Sequence, residues 1–256
     1  MEDADEVIME SSDFTGNSDG GGITLACDAE VRDCSFTENQ ADSGGGISAY
    51  GTWGSHLYDL RIHGCSFEDN RAAWGGAIYL GHDVDVARLE HCIFSRNVGT
   101  YSGALYSYGP ELRVNDSAFL QNASDENGGA ICLTSGVEVA SFTRTTIARN
   151  AAVAGGGIVS AAEILSLTNC TLVDNTASAA GGAIACTAGV LTTINCTLAG
   201  NRAPMGGALA AGIEGDETID VSSWRFVNSI FWDNADGLGG LDAASFSHCV
   251  LEADDL

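Results

Sequence analysis

The strongest constraint on this chain is a unit that recurs nine times: an apolar residue, an asparagine three positions later, then a glycine pair and an aliphatic residue. Phe36/Asn39/Gly45/Ile47, Phe67/Asn70/Gly76/Ile78 and Phe119/Asn122/Gly129/Ile131 show it in full. The asparagines fall at Asn17, Asn39, Asn70, Asn97, Asn122, Asn150, Asn175, Asn201 and Asn234. Over the eight intervals between them the spacing averages about 27 residues. A unit this short cannot bury its own apolar face, so it must stack on copies of itself. An elongated stack is therefore expected, and function has to be read from what decorates it.

One repeat, residues 128–150, illustrates the coil. A glycine turn at 128–129 leads to a strand at 130–133, a loop at 134–136, a second strand at 137–140 and a third at 143–147. Each strand has alternating apolar positions bounded by glycine or polar residues. No stretch keeps a 3.6-residue period for three turns, which disfavours helices. Three short strands per turn, each paired in parallel with its equivalent one turn away, give an all-β solenoid of eight to nine rungs. At about 4.8 Å per rung it is roughly 40 Å long. The expected division is an acidic N-terminal segment at 1–13, the coil at 14–251 and a tail at 252–256.

The repeated asparagine has a physical cause. A sharp bend between strands favours a residue that tolerates left-handed backbone, which asparagine does best after glycine. Stacked at rung spacing, each side-chain amide would donate to the next and accept from the one before, satisfying a buried bend. The nine asparagines are thus expected to be structural.

Charge excludes some partners. The chain has ten arginines, no lysine and 35 acidic residues, a net charge of −25. Long-range repulsion argues against nucleic acid and anionic membrane surfaces. Residues 1–13 are acidic where a secretory leader needs a basic end and an apolar run, so no signal peptide is expected there. The uncharged stretch 175–201 is interrupted at repeat spacing and reads as two rungs rather than a membrane span.

Of the nine cysteines, Cys34, Cys65, Cys92, Cys170 and Cys196 each lie two residues before the apolar residue of a unit. Alternation points them inward, where buried thiols behave as small apolar residues. Adjacent rungs would bring such pairs near bonding distance, leaving a disulfide such as Cys170 with Cys196 open. Cys132 follows inward Ile131 and is expected to face out.

The paired signatures carry a family resemblance. One half of the unit is seen at 75–78, 128–131, 181–184 and 206–209; the other at 14–17, 36–39, 67–70, 94–97, 119–122 and 231–234. Together these F-x-x-N and G-G-A-[I/L/V] matches resemble the repeats of polymorphic outer-membrane proteins and related right-handed β-helix repeat proteins of bacterial surfaces. The resemblance spans residues 14–251. It implies a right-handed parallel β-helix, exported to the cell surface or beyond, serving in adhesion or envelope structure.

Several features are candidates for binding or chemistry. Loops are expected to swell at 51–59, 81–87 and 212–223, and insertions along one side of a solenoid usually form its binding side. Tyr50, Tyr79, Tyr106 and Tyr108 occupy outward positions, while Trp74 and Tyr101 each lie four residues past a ladder asparagine and should stack. With Trp53 in the first large loop, these seven aromatics form an expected binding strip for sugar rings or a surface protein of a host or neighbouring cell. Outward tyrosines are also simply good strand formers.

A polysaccharide-degrading enzyme would need paired acids. His82, Asp83 and Asp85 form the best cluster, beside His56 and Asp59, with Asp125 and Glu126 as a second. No cofactor is expected. Asp216, Glu217 and Asp220 offer at most weak calcium ligation, and no spacing suits zinc. The glycosylation triplets begin at Asn115, Asn122, Asn169 and Asn195, the last two expected within coil strands.

Overall fold

The computed structural model describes residues 6–51, 58–213, 219–235, 238–239, 241 and 244–251. Its strands form three long parallel sheets wrapped around one core. Sheet 1 has ten strands, from Val7–Glu10 and Ala29–Arg32 to Ser245–Ser247. Sheet 2 has ten, from Asp13–Thr15 to Val250–Leu251, and sheet 3 has nine, from Ile23–Leu25 to Leu238–Gly239. Ladder pairing starts at Val7, inside the acidic segment 1–13.

Register is set by the repeat. Phe36 pairs with Phe67, Phe67 with Phe94, and Phe94 with Phe119. Their inward rings stack face to face, 4.8 Å apart in the first two pairs and 4.4 Å in the third. A one-residue slip would turn each ring outward, so the apolar column fixes the register.

The rung holds one element more than the sequence reading. In six turns a fourth short strand follows the ladder asparagine: Gln40–Ser43, Arg71–Trp74, Val98–Gly99, Ala123–Ser124, Ala151–Ala154 and Thr176–Ala180. These six pair with one another as a separate short sheet. Within 128–150 the core strands are Ile131–Leu133, Val139–Thr143 and Thr146–Ala148. The expected third strand, 143–147, is broken because Arg144 takes a left-handed conformation with φ of 49°.

The asparagine ladder is continuous from Asn17 to Asn234. Each Nδ2 donates to the next Oδ1, at 2.7 Å from Asn17 to Asn39 and 3.0 Å from Asn70 to Asn97. The same Oδ1 also accepts the backbone N–H of the preceding ladder residue, as Asn97 does from Asn70 at 3.0 Å. Left-handed backbone, however, belongs to the residue before each asparagine, including Glu38, Asp69, Arg96 and Gln121 with φ of 54–57°. Long side chains carry this conformation at a cost of about 1–2 kcal/mol each. The ladder bonds on either side hold them there.

A second bend, between sheets 1 and 2, uses Cys34, Cys65, Cys92, Ser117, Thr145, Cys170, Cys196, Ser229 and Cys249. Each donates to the carbonyl two residues earlier, Cys92 to Glu90 O at 3.3 Å and Ser117 to Asn115 O at 2.7 Å. The inward thiols are therefore turn caps as well as small packing groups. All nine cysteines are free. Asn169 and Asn195 are not in strands; with Asn228 they take the left-handed position of this bend and form an exposed amide ladder, with links of 3.1 and 3.2 Å.

Candidate binding surface on the outer face of sheet 3

Alternation in sheet 3 sends Ile47, Ala49, Ile78, Leu80 and Leu105 inward and their middle residues outward. Register aligns Thr24, Ser48, Tyr79, Tyr106, Cys132, Val159 and Ala185 into one outward column. The short sheet folds back toward this column, and Ala154 packs with Val159 and Ala185 in a small apolar cluster outside the main core. Outward therefore does not mean exposed. Tyr106 retains 9% exposure, less than a solvent-facing ring would keep, and Cys132 faces out as expected yet retains 8%. Burial pushes the Cys132 thiol up to about 12 and raises the Tyr79 and Tyr106 phenols.

In the early rungs the apolar cover is replaced by aromatic rings. Trp74 ends the strand Arg71–Trp74, directly before Gly75. Gly75 has φ of 62°, and a Cβ there would lie 2.0 Å from the Ile78 carbonyl oxygen, so only glycine makes this turn. The Trp74 and Tyr101 rings stack with centroids 4.0 Å apart and planes at 16°, as the repeat spacing predicts. Trp74 also meets Tyr106 edge-on at 5.1 Å, and Tyr106 stacks on Tyr79 at 5.8 Å. Four of the seven expected aromatics are thus one continuous ledge. Trp74 keeps 36% exposure, and Tyr50 and Tyr108, outside the stack, are exposed at 45% and 44%. Trp53 lies outside the described residues.

Beside the ledge, toward the N-terminal end, is an open groove of about 370 Å³. Its lining includes Asp19, Thr24, Asp42, Ser48, Tyr50 and Tyr79. Apart from the two tyrosines, sequence reasoning missed these residues, because isolated small polar side chains leave no periodic signal. It also missed Trp232, 51% exposed at the far end of sheet 2. The offset from the ladder asparagine, which located Trp74 and Tyr101, would have placed Asp42 one position short of the same site.

The cluster proposed for catalysis is arranged differently. The expected loop at 81–87 is mainly strand, Val84–Glu90, with a register shift between Val84 and Val86. Asp83 is buried; its Oδ2 accepts the Gly51 N–H at 3.0 Å and its Oδ1 lies 3.3 Å from His82 Nε2. That carboxylate staples one rung to the preceding one. Asp85 is half-buried at the bulge, and Asp59 is held by Arg88 at 2.8 Å. His56, Asp216 and Glu217 lie outside the described residues. Asp220 caps a turn by accepting the Ser222 N–H at 2.9 Å, and hydrogen bonding from the Ser222 hydroxyl first, with this N–H second, lowers its pKa.

The fold defines a class. The chain belongs to the right-handed β-helix region family, whose model matches residues 1–152. That span includes the whole ledge and groove. Comparison with curated proteins gives no match, and neither does comparison with solved structures.

Proposed function

We propose that this protein is a non-catalytic binding module, displayed outside the cell or at its surface, that attaches to a glycan through the aromatic ledge. The observation that carries the reading is the parallel stack of Trp74 on Tyr101, with Trp74 open to solvent. A sugar ring presents an apolar C–H face, which settles on an aromatic face and releases water from both. A stacked indole is already oriented, so little side-chain entropy is lost on binding. The paired signatures support the finer assignment to the polymorphic outer-membrane repeat type, with a role in adhesion or envelope structure.

The structural use of Asp83 supports a non-catalytic reading over a polysaccharide-degrading one, since a carboxylate engaged by Gly51 and His82 is poorly placed to act as a general base. A panel of neutral and acidic oligosaccharides, screened by isothermal titration calorimetry, tests the proposal. Binding by the wild type and its loss in Trp74→Ala and Tyr101→Ala are expected. Unchanged binding in both variants, or release of new reducing ends or unsaturated products, would count against it.

A further inference from the structure

The groove beside the ledge contains a buried polar atom that the fold itself does not use. Ser48 is 4% exposed, and its Oγ has no hydrogen-bond partner among the described residues. Buried hydroxyls elsewhere in the coil are satisfied: Ser102 donates to the Leu105 carbonyl at 2.8 Å and Ser117 to Asn115 O at 2.7 Å. Ser107, which shares Ser48's lack of a partner, lies between Leu80 and Leu133 in an inward column. Ser48 instead lines the groove. Buried hydroxyls are normally paired, so this one is placed for a group that arrives from outside.

The rest of the lining states what that group carries. Asp19 and Asp42 are exposed carboxylates, and the described lining residues include no arginine or histidine. Tyr50 and Tyr79 supply aromatic rings on the same groove. Carboxylates and aromatic rings lining one groove favour a cation over a neutral group, by Coulomb attraction and, where a ring face is presented, by the ring quadrupole. They repel uronates and sulfated sugars, as does the net charge of −25.

We infer that the groove is a subsite for an amino sugar with a free, protonated amine, its ammonium held by Asp19 and Asp42 and a ring hydroxyl paired with Ser48 Oγ. This rests on the glycan reading of the ledge and narrows it to a cationic, partly or fully deacetylated chain.

The test uses calorimetry with three tetrasaccharides: one of glucosamine, one of N-acetylglucosamine and one of glucose. The wild type is expected to bind the glucosamine tetramer at least tenfold more tightly than the other two. Asp42→Asn with Asp19→Asn should remove that preference. Ser48→Ala should weaken the glucosamine tetramer severalfold without lowering the unfolding midpoint, since no protein bond is lost. A purely structural serine would show the reverse. Equal binding of all three tetramers, still sensitive to Trp74→Ala, would overturn the subsite and leave the ledge intact. An amine preference that survives the double Asp→Asn change would also overturn it, marking attraction to the acidic chain as a whole. No binding of any tetramer would defeat both readings.

Discussion

The indole of Trp74 lies over the phenol of Tyr101, centroids 4.0 Å apart, although 27 residues separate them in sequence. Each ring therefore depends on the other for its orientation. Stacked aromatic pairs contribute about 0.5–1.5 kcal/mol beyond area burial. Tyr101→Ala is expected to cost roughly 1 kcal/mol of stability and to weaken glycan binding about tenfold, although Tyr101 need not touch the sugar. Calorimetry with a parallel denaturant titration measures both. Tyr101→Phe, which keeps the ring, should restore most of the binding.

Position along the ladder should set the cost of breaking it. Asn122 donates to Asn150 Oδ1 at 3.0 Å and to the Phe94 carbonyl at 3.1 Å, and accepts from Asn97. Asn122→Ala leaves those buried partners unsatisfied and is expected to cost roughly 3 kcal/mol. Asn17 is exposed at the end of the ladder, so Asn17→Ala should cost about 1 kcal/mol or less. Urea unfolding of the two variants makes the comparison. Equal losses would mean that the ladder does not act through burial.

The cysteine column predicts an alkaline weakness. Burial is the largest cause raising Cys92 from 9.0 to about 12 and Cys65 from 9.0 to about 11. Above pH 9 the unfolded chain releases thiol protons that the folded chain keeps. Stability present below pH 9 therefore falls as the pH rises toward those folded values. Between pH 8 and pH 10 the loss should be roughly 1 kcal/mol for each of Cys65 and Cys92. Cys92→Ser, which keeps a hydroxyl cap as Ser117 does, should fold and show a smaller alkaline loss. Urea midpoints at the two pH values check the sign.

Much of this was legible in the repeat. The interval between asparagines placed the Phe36 to Phe119 stack, the amide ladder and the Trp74–Tyr101 pair, because equal-length turns put equivalent residues in columns. What the sequence hid was the fold-back strand. Segments such as Ala123–Ser124 and Ala151–Ala154 lack the alternation that marks a strand, yet this layer covers part of the outer face of sheet 3. Without it, Tyr106 and Cys132 read as exposed. Ser48 and Asp42 were invisible for another reason: each is a single small polar residue whose meaning comes from the groove around it. The left-handed bend was misplaced by one residue because Arg96 and Gln121 are poor candidates by propensity and are held there by ladder bonds.

Indole N–H resonances offer the most direct test of the ledge. Trp74 is partly exposed on the ledge, Trp224 is buried with Nε1 donating to the Gly189 carbonyl at 3.0 Å, and Trp232 is exposed at the far end of sheet 2. Adding a binding tetrasaccharide to the wild-type protein should shift the Trp74 Nε1–H signal in a saturable way and leave those of Trp224 and Trp232 in place. A shift confined to Trp232, or binding that leaves the Trp74 signal unmoved, would contradict the account.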